Sequence, residues 1–76
     1  MRDAIEMIVK ALVNEPEAVD VRAEERERAT IIEVRVAAGD YGKLIGRQGS
    51  TVRALRSLVH AAGTKHNRRI VLDIIE

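Results

Sequence analysis

The sequence contains no cysteine, and this absence removes several kinds of chemistry. Without thiols the chain forms no disulfide, no cysteine-ligated zinc site and no thiol nucleophile, and its composition allows a reducing compartment. The two histidines, His60 and His66, fall in different segments, so they predict neither a metal site nor a nucleophile–base pair. We therefore expect no metal, no cofactor, no catalytic residues and no enzymatic activity.

Aromatic residues are almost as scarce, with one Tyr and no Phe or Trp. Folds that stack bases on exposed rings, such as the RNA-recognition motif and the cold-shock domain, are therefore disfavoured. Long apolar runs are missing too, and none approaches the roughly 20 residues of a membrane span. Met1 leads into an amphipathic segment rather than a signal peptide. We expect a cytoplasmic protein without a membrane partner.

Charge is distributed unevenly along the 76 residues, although the net charge is only +1. Residues 1–40 contain six Lys and Arg against ten Asp and Glu, whereas residues 41–76 contain seven against two. Such a difference between two halves indicates a local anion-binding surface in the second half.

The first half predicts a helix followed by two strands. Asp3 is expected to cap the helix, with Glu6 completing a capping box, and the helix ends before Pro16. Alternating apolar residues predict a strand around residues 19–24 and a second strand over residues 29–37, joined by a polar hairpin at 25–28. The apolar residues assigned to these elements are Ile5, Ile8, Val9, Leu12, Val19, Val21, Ala23, Ile32, Val34 and Val36.

The second half predicts two helices and a last strand. Asp40 is expected to cap a short helix that ends at Ile45, and a longer helix should run from Ser50 to about Ala62. Gly63 is expected to end that helix in the left-handed conformation. The final strand covers residues 70–75. The buried sides are assigned to Val52, Leu55, Leu58, Val59, Ala62, Ile70, Leu72 and Ile74.

Between these two helices lies the loop Gly46-Arg47-Gln48-Gly49, flanked by Ile45 and Val52. Two glycines three residues apart allow a sharp turn and close approach of the backbone to a ligand. Ser50 and Thr51 then begin a helix, whose free N–H groups and positive dipole end would lie beside Arg47. This combination predicts a phosphate-binding site built largely from backbone.

The string Leu44-Ile45-Gly46-Arg47-Gln48-Gly49-Ser50-Thr51-Val52 resembles the signature of KH domains, and the whole chain is similar to the small bacterial single-KH proteins of the KhpA family. The resemblance implies one KH domain over residues 1–76 with the type II order α-β-β-α-α-β. The predicted fold is α+β, a three-stranded mixed sheet with three helices packed on one face.

The resemblance also implies a function and a site. KH loops of this kind clamp about four single-stranded nucleotides, so single-stranded RNA is the expected partner, bound with low sequence stringency by an RNA chaperone or post-transcriptional regulator. The groove should lie between the loop-flanking helices and the edge of the neighbouring strand. Charge and spacing add Lys43, Arg53 and Arg56 to the residues that the resemblance supplies. The predicted RNA-binding residues are Lys43, Ile45, Gly46, Arg47, Gln48, Gly49, Ser50, Val52, Arg53 and Arg56.

Two other functions remain open from the sequence. The chain could serve as a KH-fold interaction module without nucleic-acid binding, or as a DNA binder that resembles a helix-turn-helix, because two helices flank a short turn. The resemblance further implies a homodimer and a heterodimer with a larger, Jag-type KH protein. An apolar patch of Ile31, Val71 and Ile75 on the uncovered sheet face is compatible with self-association.

Overall fold

Three helices cover one side of a three-stranded sheet in the structure, a computed structural model that describes residues 1–76. The order of its helices and strands, α-β-β-α-α-β, confirms the predicted α+β fold. None of the helices has both the length and the apolar character needed to cross a bilayer. The elements are α1 (Arg2–Leu12), a 3₁₀ turn (Pro16–Ala18), β1 (Asp20–Glu25), β2 (Ala29–Arg35), α2 (Ala38–Ile45), α3 (Gly49–Lys65) and β3 (Arg69–Ile75).

The strands lie in the order β1-β2-β3. The first pair is antiparallel and joined by a hairpin, whereas β2 and β3 are parallel and pair Ile32 with Leu72 and Val34 with Ile74. A parallel pair cannot be joined by a tight turn and needs a crossover connection. Helices α2 and α3, together with the loop between them, form that crossover, so the topology places the loop at one end of the sheet.

The core consists of thirteen buried aliphatic residues between the sheet and the helices. The core-facing sides of β2 and β3 were predicted correctly, since Ile32, Val34 and Leu72 point into this core and each is at most 4% exposed. Three apolar residues that were predicted to be buried are exposed: Ala23 on β1, Ile8 on α1 at 39% and Leu58 on α3 at 66%. The core residues are Ile5, Val9, Val19, Val21, Ile32, Val34, Val36, Leu44, Val52, Leu55, Val59, Leu72 and Ile74.

The predicted capping box of the first helix is wrong. Met1 occupies the N-cap position of α1 without a side-chain cap, and the Asp3 carboxylate instead accepts a hydrogen bond from Arg2 at 2.6 Å. Arg2 also donates from Nη1 to Glu6 at 3.3 Å and from Nε to the Val21 carbonyl at 2.7 Å. These acidic residues therefore orient an arginine that ties α1 to β1, instead of capping the helix.

Asp40 does not cap its helix either, because α2 begins two residues earlier and its N-cap is Ala37. The side chain is only 2% exposed, and its two carboxylate oxygens accept the backbone N–H groups of Asn14 at 2.9 Å and Glu15 at 3.0 Å. A buried carboxylate needs such partners, and a charged acceptor makes strong hydrogen bonds. Asp40 thus fixes the segment after α1 to α2.

The third correction concerns α3, which extends to Lys65 and contains Gly63 within it. No glycine has a positive φ, and the left-handed residue after the helix is Asn67 with φ 57°. Gly63 is required for another reason: a Cβ at this position would collide with the Arg68 carbonyl oxygen and lie 3.0 Å from Ile70 Cγ1. The start of β3 therefore packs directly on the backbone of α3.

Truncation of Leu55 or Leu72 to Ala should destabilise the protein by about 2–5 kcal/mol, because each change leaves a cavity in an aliphatic core. Leu55 is 6% exposed on α3 and Leu72 is 4% exposed on β3. Chemical denaturation of both variants measures the loss. Losses below about 0.5 kcal/mol at both positions would contradict the assigned core.

Gly63→Ala should cost about 1–3 kcal/mol, since overpacking against Arg68 and Ile70 outweighs the helix propensity that Ala gains, about 1 kcal/mol. Gly42→Ala is the matched control, because Gly42 also lies within a helix but a Cβ there meets no atom within 4 Å. The control should be neutral or stabilised in the same denaturation experiment. Equal stability of the two variants would contradict the packing role of Gly63.

Candidate nucleic-acid interface

The loop Gly46-Arg47-Gln48-Gly49 connects the C-terminal end of α2 to the N-terminal end of α3. Three of its four backbone N–H groups are used within the protein. Gly46 donates to the Gly42 carbonyl at 2.9 Å, Gln48 to the Lys43 carbonyl at 2.9 Å and Gly49 to the Gly46 carbonyl at 3.2 Å. These bonds fix the turn in one conformation.

Free N–H groups remain at Arg47, Ser50 and Thr51, none of which donates to another protein atom. Two of them belong to the first turn of α3, where the partial positive charge of the helix dipole is concentrated. The sequence predicted free donors at this loop. The structure locates them mainly at the helix start and not on the two glycines.

The two glycines of the loop have different structural roles. Gly46 ends α2 so tightly that a Cβ would lie 3.1 Å from the Gly42 carbonyl oxygen. A Cβ on Gly49 would meet no atom within 4 Å, and its backbone lies at the start of a right-handed helix. The fold therefore does not require a glycine at position 49, and the space next to its Cα is open.

The side chains around the loop differ in exposure. Arg47 and Ser50 are exposed, Gln48 is half-buried, and Ile45 is 48% exposed just before the loop. Val52 is only 3% exposed and belongs to the core. An apolar floor next to the loop therefore has Ile45 at its surface, with Val52 supporting the helix from below.

A groove of about 530 Å³ runs between α3 and the outer edge of β3. Arg56 and His60 line it from α3, and Arg69 begins its opposite wall. The Arg56 side chain bridges the two elements, because Nε donates to the Leu72 carbonyl at 3.3 Å. The remaining lining residues come from β3 and are Ile70, Val71, Leu72 and Asp73.

The edge of β3 that faces this groove has no partner strand. The Ile75 carbonyl accepts the Val36 N–H at 3.0 Å, so the odd-numbered residues of β3 direct their backbone groups towards β2. Because backbone direction alternates along a strand, Ile70, Leu72 and Ile74 direct theirs towards the groove. The edge therefore offers alternating donors and acceptors beside the basic side chains.

The structure brings some of the predicted site residues together and separates others. Arg53 follows the loop by one helical turn, and Arg56 lies about 10 Å along α3 from Gly49, at 1.5 Å per residue. Arg56 is the one predicted site residue that lines the groove. Lys43 turns towards the end of α1, where Nζ is 3.4 Å from Asn14 Oδ1.

Ion pairing separates the two halves of the chain as clearly as composition does. All five salt bridges join residues between Arg2 and Arg26. No Lys or Arg from position 28 onwards has an Asp or Glu side-chain carboxylate within salt-bridge distance. No protein carboxylate therefore neutralises the cations around the loop and groove, although Arg56 and Lys43 each donate one hydrogen bond to a neutral oxygen.

Two groove residues with basic side chains, His60 and Arg69, were absent from the predicted site. His60 shares the helical face of Arg53 and Arg56, so the spacing alone could have included it. Arg69 could not be found this way, because its position opposite α3 depends on the parallel pairing of β3 with β2. No group of three or more His, Asp or Glu side chains is arranged to hold a metal ion.

Comparison with known proteins gives one consistent result. The family described as "KhpA/KhpB, KH domain" matches residues 2–74. A protein of Borreliella burgdorferi named RNA-binding protein KhpA is 45% identical over 74 residues, which cover 97% of this chain and 90% of the relative. No solved structure gives a significant match.

Two further relatives with the same name are similar over their full or nearly full length. The protein of Halalkalibacterium halodurans is 46% identical over 76 residues, covering 100% of both chains. That of Aquifex aeolicus is 41% identical over 76 residues, covering 100% of this chain and 96% of the relative.

Proposed function

Because this chain belongs to the KhpA/KhpB family of KH domains, we propose that it is an RNA-binding protein that holds about four single-stranded nucleotides at the loop of residues 46–49. The family consists of RNA-binding domains and not of enzymes, so no reaction is assigned. In this proposal the protein acts in the cytoplasm as an RNA chaperone or post-transcriptional regulator with low sequence stringency.

The observation that supports this most directly is the set of free N–H groups at Arg47, Ser50 and Thr51. They lie at the positive end of α3, beside the unpaired guanidinium of Arg47, and this arrangement suits a phosphate group. The open space at Gly49 would allow a sugar–phosphate backbone to approach closely. Contacts of this kind position RNA without reading its sequence.

In this proposal, the bases attached to the clamped sugar–phosphate backbone lie in the groove between α3 and β3. Its edge strand offers backbone donors and acceptors, and Ile45 offers an apolar surface near the loop. Arg53 and Arg56 follow α3 away from the loop and would accompany the RNA backbone, whereas Lys43 would contribute charge from the other side. Such contacts discriminate single strands from duplexes because they require bases that are not paired.

The two alternative functions differ in what they require. A helix-turn-helix reader needs its second helix in a DNA major groove, whereas the family shown here is a KH family. An interaction module without nucleic-acid binding would have no use for free donors beside unpaired cations. That alternative is retained as an outcome of the binding experiment.

Self-association is proposed on the helical side of the molecule. The exposed large apolar residues include Met1, Met7, Ile8 and Leu58, and a groove between α1 and α3 is lined entirely by apolar side chains. The sheet-face patch expected from the sequence is only half-exposed. A homodimer, or a heterodimer with a Jag-type KH protein, would cover the α1–α3 surface and leave the RNA groove open.

The double variant Arg47→Asp/Gln48→Asp should bind single-stranded RNA at least tenfold more weakly, a loss of about 1.4 kcal/mol. Two carboxylates would then lie where phosphates approach, while Gly46 and Gly49 keep the turn. A titration with a fluorescent tetranucleotide and circular dichroism measure binding and folding.

The matched control is Arg22→Asp/Ala23→Asp on exposed β1, which changes the net charge equally and should bind nearly as well as wild type. A folded loop variant with undiminished affinity would exclude the loop as the RNA site and favour the interaction module. Duplex DNA serves as competitor.

The affinity of the wild-type protein for single-stranded RNA should fall with salt. The slope of log affinity against log salt concentration should be near −2, since about three phosphates are contacted at roughly −0.7 each.

Leu58→Asp should shift the protein towards monomer, because the side chain is 66% exposed and lines the apolar groove of the proposed interface. Ile45→Asp is the comparison variant, since Ile45 is 48% exposed but lies beside the loop, and it should remain dimeric. Sedimentation of both variants and wild type at micromolar concentration checks this. A wild-type protein that stays monomeric at every concentration would disprove the homodimer.

A further inference from the structure

We propose that the RNA path continues beyond the groove onto a second basic surface, formed where the β1–β2 hairpin meets the turn between α3 and β3. Arg28 and Lys65 are its principal cations, with His66 next to Lys65. This inference rests on the proposed RNA-binding function. It assigns a contact region at the opposite end of α3 from the loop and predicts a bound tract longer than four nucleotides.

The hairpin and the turn are held together by specific hydrogen bonds. Arg68 donates from Nε to Thr30 Oγ1 at 2.8 Å and from Nη2 to the carbonyls of Arg26 at 2.9 Å and Ala29 at 3.3 Å. The Arg69 N–H donates to the Arg28 carbonyl at 3.4 Å. Two segments that are far apart in sequence therefore form one fixed surface at the end of the groove.

The charged side chains of this surface have no partner within the protein. Arg28, Lys65 and His66 are exposed, and none makes a salt bridge or a side-chain hydrogen bond. Arg68, in contrast, is occupied by the bonds that hold the hairpin. A surface of unpaired cations attracts polyanions, and its contacts to phosphate are independent of sequence.

The surface is continuous with the groove, because Arg69 lines the groove and its backbone contacts Arg28. Helix α3 contains 17 residues, so the loop and this surface lie about 25 Å apart at 1.5 Å per residue. A strand stacked as in B-form DNA advances about 3.4 Å per nucleotide, so roughly seven stacked nucleotides span the distance between the two ends. A stacked tetranucleotide held by the loop ends short of Arg28, at about 14 Å, whereas a stacked octanucleotide spans the full distance.

The experiment compares the intact protein with Arg28→Gln/Lys65→Gln on fluorescent tetranucleotide and octanucleotide single-stranded RNA. The variant should bind the tetranucleotide within about twofold of wild type but the octanucleotide about tenfold more weakly. The salt slope for the octanucleotide should become shallower by about 1.4, at roughly 0.7 per lost phosphate contact. The control Arg22→Gln/Arg35→Gln makes the same change in net charge on the other face of the sheet, and should retain octanucleotide affinity.

Each other outcome has a definite meaning. Equal losses in the variant and in its control would show a general charge effect and overturn the second surface. Unchanged octanucleotide binding by the folded variant would overturn it as well, and would leave the loop site intact. Wild-type protein that binds neither RNA would refute the proposed function itself. Circular dichroism of each variant verifies folding.

Discussion

The parallel pairing of β2 with β3 is the constraint on which the rest of this structure depends. Parallel strands need a crossover, and α2 and α3 supply it over the helical side of the sheet. The crossover creates the loop at one end of α3 and returns the chain beneath that helix as the edge strand β3. Loop, groove and free strand edge are therefore three consequences of one pairing.

A structural feature could be predicted from the sequence when it depended on residues close together in the chain, and it was missed when its partners were far apart in the chain. Periodicity identified Val34, Leu55 and Leu72 as core residues, because a side of a helix or strand is a local property. The loop was found from its own residues. The roles of Asp40 and Gly63 were missed, since the partners of Asp40 are 25 and 26 residues away and Gly63 is dictated by an incoming strand. Local rules assigned both to helix ends, where such residues are common.

The distribution of ion pairs gives the charge asymmetry a structural meaning. Acidic residues of the first half neutralise cations of α1 and β1, in pairs that are largely exposed and contribute little to stability. The second half leaves its cations unpaired over α2, α3 and the start of β3. Mutual repulsion among these cations opposes folding slightly. The thirteen-residue aliphatic core is what allows a chain of this size to retain them.

Gly63 and Gly49, at opposite ends of α3, differ in whether the packing of the protein explains the glycine. Gly63 admits the start of β3 and is itself buried. Gly49 lies at the other end of the same helix with no neighbour that a Cβ would meet. Since Ala is favoured over Gly within a helix, the fold alone would favour Ala at Gly49. A glycine there is explained by something that approaches from outside, and the free N–H groups of Ser50 and Thr51 next to it are the groups that a phosphate would meet first.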